Sequence, residues 1–207
     1  MIFEWICLLV IKKGAHLNKM KAILNPHHLV LGKLEDFLTG VEMTDTHDER
    51  YRQKIAEKLV LEKGFDRADI EANKGIEISA GGKKARIKID FLIHYQHKIV
   101  GVIQYAPGSL VTRRLSTLAL SRIIRPYQIP VVVITNGEDA EILSGDTGKI
   151  TAAGLENIPH KADMIQNYRS FSFRPIPAGI CDQASKIVFA FEVDDACPCD
   201  SDVCILE

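Results

Sequence analysis

The residues best suited to bind a metal ion are three cysteines near the C-terminus. The segment CPCDSDVC places thiols at Cys197, Cys199 and Cys204 in a C-x-C-x₄-C arrangement, and Cys181 could supply a fourth. Thiolates bind Zn²⁺ well, although this spacing is not one of the common zinc patterns. Two interpretations therefore stay open: a zinc site in a metal-binding regulatory protein, or exposed or redox-active thiols.

A set of basic side chains could contact phosphate groups. The chain has 26 Lys and Arg against 27 Asp and Glu, a net charge of -1, so no overall positive field would attract it to nucleic acid. Any contact with DNA must then come from a local patch, because Lys and Arg supply many of the bonds to phosphate. The residues predicted to form it are Lys88, Arg113, Arg114 and Arg122. The alternative is an ordinary charged surface.

Composition and length are those of a globular protein with one core. Of the 207 residues 46% are hydrophobic and 26% charged. No cysteine occurs between Met20 and Gly179, which favours a reducing cytoplasm over a secreted disulfide scaffold. No dinucleotide fingerprint is present, so we expect no small-molecule cofactor.

The apolar run of residues 2–11 is too short to cross a bilayer. It has about half the length that a membrane-spanning helix needs, and Lys12 and Lys13 follow it. We therefore expect no membrane partner. Residues 1–19 are predicted to be an extension upstream of Met20, with a peripheral helix at a membrane surface as the alternative.

The elements that position these residues alternate between helix and strand. A helix is predicted from about Asp48 to Lys63, capped by Thr46 or Asp48 and ended by Gly64. The later elements are strands over Gly75–Ser79, Arg86–His94 and Lys98–Tyr105, a helix over Leu110–Ile124, a strand over Ile129–Thr135 and an edge hairpin from Ala140. The three strands form an antiparallel meander, and the apolar strand Ile129–Thr135 suits a parallel strand covered on both faces. The predicted fold is a mixed α/β sheet flanked by helices on both faces.

Changes in composition divide the chain into three parts. Residues 1–43 are predicted to be an N-terminal extension and arm, within which the stretch Leu29 to Leu38 is a short arm or helix. Residues 44–160 form the folded domain. Residues 161–207 are predicted to be an appendage packed on the core, with the cysteine-rich tail at its end.

Two carboxylates lie on the central elements. Asp90 is in the middle of the second predicted strand, where alternation places it opposite a face formed by Ile87, Ile89, Phe91 and Ile93. Glu49 lies at the edge of the helix face that carries Ile55 and Leu59, so it points toward the body of the domain. The alternative for Glu49 is a first-turn glutamate favoured by the helix dipole.

Four segments together resemble a known family. They are DERYRQKIAEKLVLEKGF, RIKIDFLI, VGVIQYAPG and VVVITNG, in this order and at this spacing within residues 44–160. The chain resembles the N-terminal domain of type I restriction enzyme R subunits, a branch of the PD-(D/E)XK nuclease superfamily. The resemblance implies a restriction-endonuclease-like fold. It also implies that an Asp on the second strand, with a Glu two residues before a Lys on the third, binds Mg²⁺ and holds the attacking water.

Residue by residue, the family's catalytic pattern is incomplete here. Asp90 matches the aspartate, but Ile103 stands at the Glu position and Tyr105 at the Lys position. Isoleucine offers no ligand, and a phenol with a pKa near 10 is a poor substitute for an ammonium group. We therefore expect a catalytically degenerate module without a cofactor, which binds DNA or serves as a scaffold for a protein partner.

An active enzyme is the alternative. Glu77 or Glu49 could supply the second carboxylate of a migrated site, which would make the chain a Mg²⁺-dependent DNA endonuclease. Without catalysis, Asp90 is predicted to pair with Arg86, Lys88 or Arg113.

Overall fold

The computed structural model describes residues 29–194 and 204–206. Its strands are β1 (Gly32–Glu35), β2 (Glu42–Asp45), β3 (Ile70–Ala80), β4 (Lys83–Tyr95), β5 (Lys98–Tyr105), β6 (Val131–Thr135), β7 (Ala140–Ser144), β8 (Ile150–Ala153) and β9 (Cys204–Leu206). Its α-helices are α1 (His47–Glu57), α2 (Leu110–Leu120), α3 (Lys161–Asn167) and α4 (Ala178–Phe189). Shorter helical turns are the π-helical Lys58–Glu62 and Ala190–Asp194 and the 3₁₀ turns Arg67–Asp69, Leu155–Asn157 and Tyr168–Ser170.

The main sheet has the strand order β3-β4-β5-β6-β7-β8, and β9 pairs with β4 beside this path. Strands β5 and β6 run parallel, whereas the other neighbouring pairs described are antiparallel. Helix α2 supplies the crossover that a parallel pair requires. The predicted fold class, a mixed sheet with a meander and one parallel strand, is confirmed.

Helices cover the two faces of the sheet and create two hydrophobic cores. The first core lies under α2 and α4 and includes Ile87, Ile89, Val102, Ile134 and Val188. The second lies under α1 and includes Ile55, Leu59, Phe91, Ile103 and Met164. Strand β6 divides its side chains between both cores, as its apolar sequence predicts for a central strand.

Strands β3 and β4 exchange faces near their middle. We predicted that Ile87, Ile89, Phe91 and Ile93 share one face, and this was wrong: the first two lie in the first core and the last two in the second. The exchange occurs where Asn73 adopts a left-handed conformation, with φ 53°. There the pairing passes from Ala72 opposite Phe91 to Lys74 opposite Ile89 and omits Asn73 and Asp90. The period-2 alternation is broken at Asp90.

The segment before α1 is a β-hairpin, so the helix considered for this stretch was wrong. Strands β1 and β2 are joined by a turn in which buried Asp36 accepts hydrogen bonds from the backbone N–H groups of Leu38 and Thr39, at 3.0 and 2.8 Å. Gly40 closes the turn with φ 72°. Local bonds from an Asp side chain to the backbone favour a turn over a helix.

The C-terminal helices pack on both cores. Met164 of α3 lies in the second core, and Cys181 and Val188 of α4 lie in the first. These contacts are those of α3 and α4 alone, and the division of the chain at 44 and 160, with residues 161–207 as an appendage, stays a prediction. No helix in the described part of the chain is long and apolar enough to cross a membrane.

Candidate functional site

Helix α1 brings three polar side chains toward the sheet. Thr46 is its N-cap, and the Thr46 hydroxyl accepts a hydrogen bond from the Glu49 N–H at 3.1 Å, which confirms one of the two predicted caps. From this start Glu49, Arg52 and Gln53 lie three and four residues apart on one side of the helix. Glu49 is buried, so its carboxylate lies inside the domain as the sequence predicted.

Strands β4 and β5 part at Asp90. The described ladder pairs Phe91 with Ile103, and one residue further the Gln104 side chain replaces backbone pairing. The Gln104 amide accepts a bond from the Asp90 N–H and donates one to the Lys88 carbonyl, each at 3.3 Å. A side-chain amide thus satisfies backbone groups that the separated strands would otherwise leave unpaired.

Both carboxylate oxygens of Asp90 accept strong hydrogen bonds. The Arg52 Nε donates to Oδ1 at 2.7 Å, and the Tyr105 N–H donates to Oδ2 at 2.7 Å. Asp90 is only 1% exposed, and the Arg52 side chain is 15% exposed. Such a buried pair is kept only with good geometry and further hydrogen bonds, and this one has both.

Arg52 also connects Asp90 with Glu49. Its Nη1 lies 3.5 Å from Glu49 Oε2, while Gln53 donates to Glu49 Oε1 at 2.8 Å. The two buried carboxylates therefore share one guanidinium as their cation. The arrangement from α1 to β4 is a closed polar network within a hydrophobic surrounding.

Tyr105 closes one side of this network. Its hydroxyl donates to Asp48 Oδ1 at 3.0 Å, its ring stacks on Tyr51 with 5.9 Å between centroids, and the Arg52 guanidinium lies 5.3 Å from the ring. Burial, and then the bond to Asp48, raise the pKa of the Tyr105 phenol far above its usual value near 10. Tyr105 therefore remains a neutral donor at physiological pH.

Comparison with known families identifies the domain that contains this network. A family model described as "Type I restriction enzyme R protein N terminus" matches residues 47–159, which is more than half of the chain. The chain belongs to this family. The match begins at the first residue of α1 and includes β3 to β8. No curated protein and no solved structure gave a significant match.

The family's Mg²⁺ site, as the sequence resemblance implies it, does not fit the residues present. Ile103 stands at the Glu position, is 2% exposed and packs in the second core. Tyr105 stands at the Lys position and directs its hydroxyl to Asp48. Since Asp90 already has partners on both oxygens, the donor set offers Mg²⁺ neither the second strand carboxylate nor free oxygens on the first.

Glu77, the other carboxylate predicted for a migrated site, lies far from Asp90. Glu77 is opposite Arg86 in the ladder, and its carboxylate is 3.4 Å from the Arg86 guanidinium. Four residues of strand separate Arg86 from Asp90, about 13 Å at the rise of a β-strand. Lys88 is two residues from Asp90 on β4 and partly buried. The structure thus brings Glu49, and not Glu77, to Asp90.

The predicted basic residues of α2 have different surroundings. Arg113 donates to the Phe191 carbonyl at 3.0 Å and lies 3.6 Å from Glu192. Arg114 binds Glu141 of β7 through two hydrogen bonds of 2.8 and 2.6 Å. Arg122 follows the end of α2 and is partly buried. Two of the three therefore hold elements of this chain together, and their role in nucleic-acid contact stays a prediction.

The predicted zinc ligands fall largely outside the described residues. Cys197 and Cys199 are not among the described residues, and Cys204 is described only as the first residue of β9. Cys181 is buried in the first core, on α4. Among the side chains that the structure describes, no three His, Cys, Asp or Glu residues converge as metal ligands. The zinc hypothesis stays a prediction.

Sequence reasoning missed two members of the site. Arg52 is one of them, since Arg86, Lys88 and Arg113 were the partners predicted for Asp90; its position three residues after Glu49 on the inward face of α1 was the available signal. Gln104 is the other, because regular alternation directs it away from Asp90. Only the separation of β4 from β5 allows its amide to reach the backbone of β4.

Proposed function

We propose that this chain is a non-catalytic, nuclease-fold module of the type I restriction R N-terminal family that binds nucleic acid. The observation that supports the loss of catalysis is the set of residues around Asp90. Ile103 and Tyr105 flank it on β5, and its two oxygens accept bonds from Arg52 and from the Tyr105 N–H.

This surrounding removes what phosphodiester hydrolysis needs. Cleavage requires a divalent cation to neutralise developing charge, and a positioned group beside the attacking water. In this site the guanidinium of Arg52 neutralises the carboxylates from within the protein, where it cannot also coordinate water as a metal ion does. The neutral phenol of Tyr105 points to Asp48 and supplies no charge at the former lysine position.

The proposed binding of nucleic acid rests on residues 74–88, the outer part of the β3–β4 hairpin, which we name the basic arm. It carries Lys74, Lys83, Lys84, Arg86 and Lys88 against a single acidic residue, Glu77. The Arg86 side chain is 62% exposed, and Lys83 and Lys84 are exposed. This local excess of positive charge contrasts with the net charge of -1 of the whole chain.

The spacing on the basic arm suits a phosphate backbone. Lys84, Arg86 and Lys88 alternate along β4 with buried Ala85, Ile87 and Ile89, so they lie on the opposite face. Alternate residues on a strand are about 6.8 Å apart, so these basic side chains form a regular row along one face of the arm. A row of this kind can contact several phosphates of one nucleic-acid backbone.

A nicking assay tests the loss of catalysis. Supercoiled plasmid is incubated with the protein and Mg²⁺ or Mn²⁺, and wild type is compared with Asp90→Ala. We expect no nicking above background in either protein. Metal-dependent nicking that disappears in Asp90→Ala would refute the proposal and establish the endonuclease alternative.

A binding assay tests the basic arm. Fluorescence anisotropy with a labelled duplex, repeated over a salt series, is expected to give Lys84→Ala and Arg86→Ala a weaker affinity and a salt slope lower by about 1 each. Lys149→Ala is the matched control, because Lys149 is exposed in the β7–β8 turn at the other edge of the sheet. Equal affinities for all variants, or no salt dependence, would refute the basic arm as the binding surface, and no binding by wild type would refute nucleic-acid binding and leave the scaffold role.

A further inference from the structure

One edge of β4 is only partly covered by β5. β4 has 13 residues, whereas its described pairing with β5 is confined to Phe91–Tyr95. The half of β4 that forms the basic arm therefore extends past the end of β5. An uncovered edge offers a row of backbone donors and acceptors to any extended segment.

The C-terminal strand β9 occupies part of this edge. It runs antiparallel to β4, with Leu206 opposite Lys84, Ile205 opposite Ala85 and Cys204 opposite Arg86. The occupied positions are thus the centre of the basic arm. The backbone of the chain's own C-terminal segment lies directly beside two of the residues assigned to nucleic acid.

The chain leaves the folded body close to this edge. Val193 is buried in the first core together with Ala85 and Ile87 of β4. Arg113 fixes the preceding turn through the Phe191 carbonyl at 3.0 Å and Glu192 at 3.6 Å. This anchor keeps the C-terminal segment at a high local concentration near β4.

The charge of the segment is opposite to that of the arm. From Glu192 to Glu207 the sequence EVDDACPCDSDVCILE has six acidic residues and no Lys or Arg. Complementary charge favours association of the two and suppresses binding of other anions at the same place.

We propose that this acidic C-terminal segment is an internal competitor of nucleic acid, docked on the open edge of β4 through β9. The inference rests on the proposed nucleic-acid function. Because the described pairing of β9 comprises three residues at an edge of β4, we expect the docked state to open at low cost compared with the central strands. Phosphate groups on the basic arm and acidic residues beside it exclude each other, so either occupant weakens the binding of the other.

Hydrogen exchange on the full chain tests docking alone. Ile205→Pro removes a backbone donor in the middle of β9 and cannot continue a ladder, whereas Ile205→Val keeps the strand. We expect amides of residues 84–86 that face β9 to exchange at least about 10-fold faster in Ile205→Pro, and at the wild-type rate in Ile205→Val. Unchanged exchange in Ile205→Pro would overturn docking.

Affinity for a labelled duplex at low salt tests competition. Ile205→Pro and the double variant Asp200→Asn/Asp202→Asn are each expected to bind several-fold more tightly than wild type. Asp182→Asn/Asp146→Asn removes two exposed acidic charges elsewhere and is expected to leave affinity unchanged. Tight binding by wild type that neither tail variant increases would overturn the inference alone. If no variant binds the duplex, both the proposed nucleic-acid binding and the competition are overturned. The hydrogen-exchange experiment would still show whether β9 docks on β4.

Discussion

Replacing Arg52 by methionine is expected to destabilise the fold by about 3–5 kcal/mol, the usual cost of breaking a buried ion pair by removing one member. The magnitude follows from the geometry. The guanidinium and the Asp90 carboxylate are 2.7 Å apart at their closest atoms and largely buried, so charge centres about 4 Å apart interact by about 4 kcal/mol at an effective dielectric of 20. Methionine fills similar volume, so the loss reports charge more than packing.

A double-mutant cycle isolates the pair. Urea unfolding is measured for wild type, Arg52→Met, Asp90→Asn and the double variant; asparagine can still accept the Tyr105 N–H. We expect the double variant to be more stable than additivity predicts by about 2 kcal/mol or more. Arg50 and Asp45 form the matched control, with two 2.7 Å bonds but an Arg side chain 53% exposed, and we expect a smaller coupling there. Additivity within about 0.5 kcal/mol for Arg52 and Asp90 would refute the argument that this pair organises the site.

Three further predictions concern the neighbours of this pair. In alkaline solution the Tyr105 phenol ionises near pH 10 in the unfolded chain but stays protonated in the folded one. Wild type should therefore lose stability as the pH rises above 10, and Tyr105→Phe should lose less. Midpoints of urea unfolding at pH 9 and 10.5 measure the difference. Gly137→Ala should cost more than Gly64→Ala in thermal unfolding: both glycines have positive φ, but a Cβ at Gly137 would lie 2.2 Å from the Tyr51 ring, whereas Gly64 has open space. Gln104→Ala should cost about 1–3 kcal/mol in urea unfolding, because two backbone groups of β4 lose their partners, and a loss below about 0.5 kcal/mol would contradict that role.

The sequence predicted the elements of the domain well because their signals are local. The predicted span of β5, Lys98–Tyr105, is the observed one, and Gly64 ends the first helix with φ 75° as a glycine stop should. The two residues of the predicted turn at Gln96 and His97 both have positive φ. Turn chemistry and hydrophobic period determined these features without knowledge of the partner strands.

The site was harder to predict because it forms where local regularity fails. Alternation assigns each residue of β4 to a face, but Asn73 on the neighbouring strand changes that assignment at Asp90. The N-terminal hairpin escaped prediction for a similar reason. Its sequence has an amphipathic pattern, but the hydrogen bonds of Asp36 to the backbone of its own turn favour a hairpin. Sequence period cannot report a break that a neighbouring strand imposes.

The network around Asp90 gives this aspartate a structural role that is independent of catalysis. At the point where β4 and β5 part, the Tyr105 N–H lacks a ladder partner, and Asp90 Oδ2 accepts its hydrogen bond. Oδ1 fixes Arg52 and through it the inward face of α1. Removing the carboxylate would leave the buried Tyr105 N–H without this acceptor and would take from Arg52 its 2.7 Å bond to Oδ1, so the structural cost alone opposes the loss of Asp90. Asp90→Ala should therefore clearly lower the midpoint of urea unfolding, and supercoiled plasmid should stay intact with both wild type and the variant. An unchanged unfolding midpoint, together with the loss of a nicking activity that wild type has, would mean that Asp90 serves chemistry first.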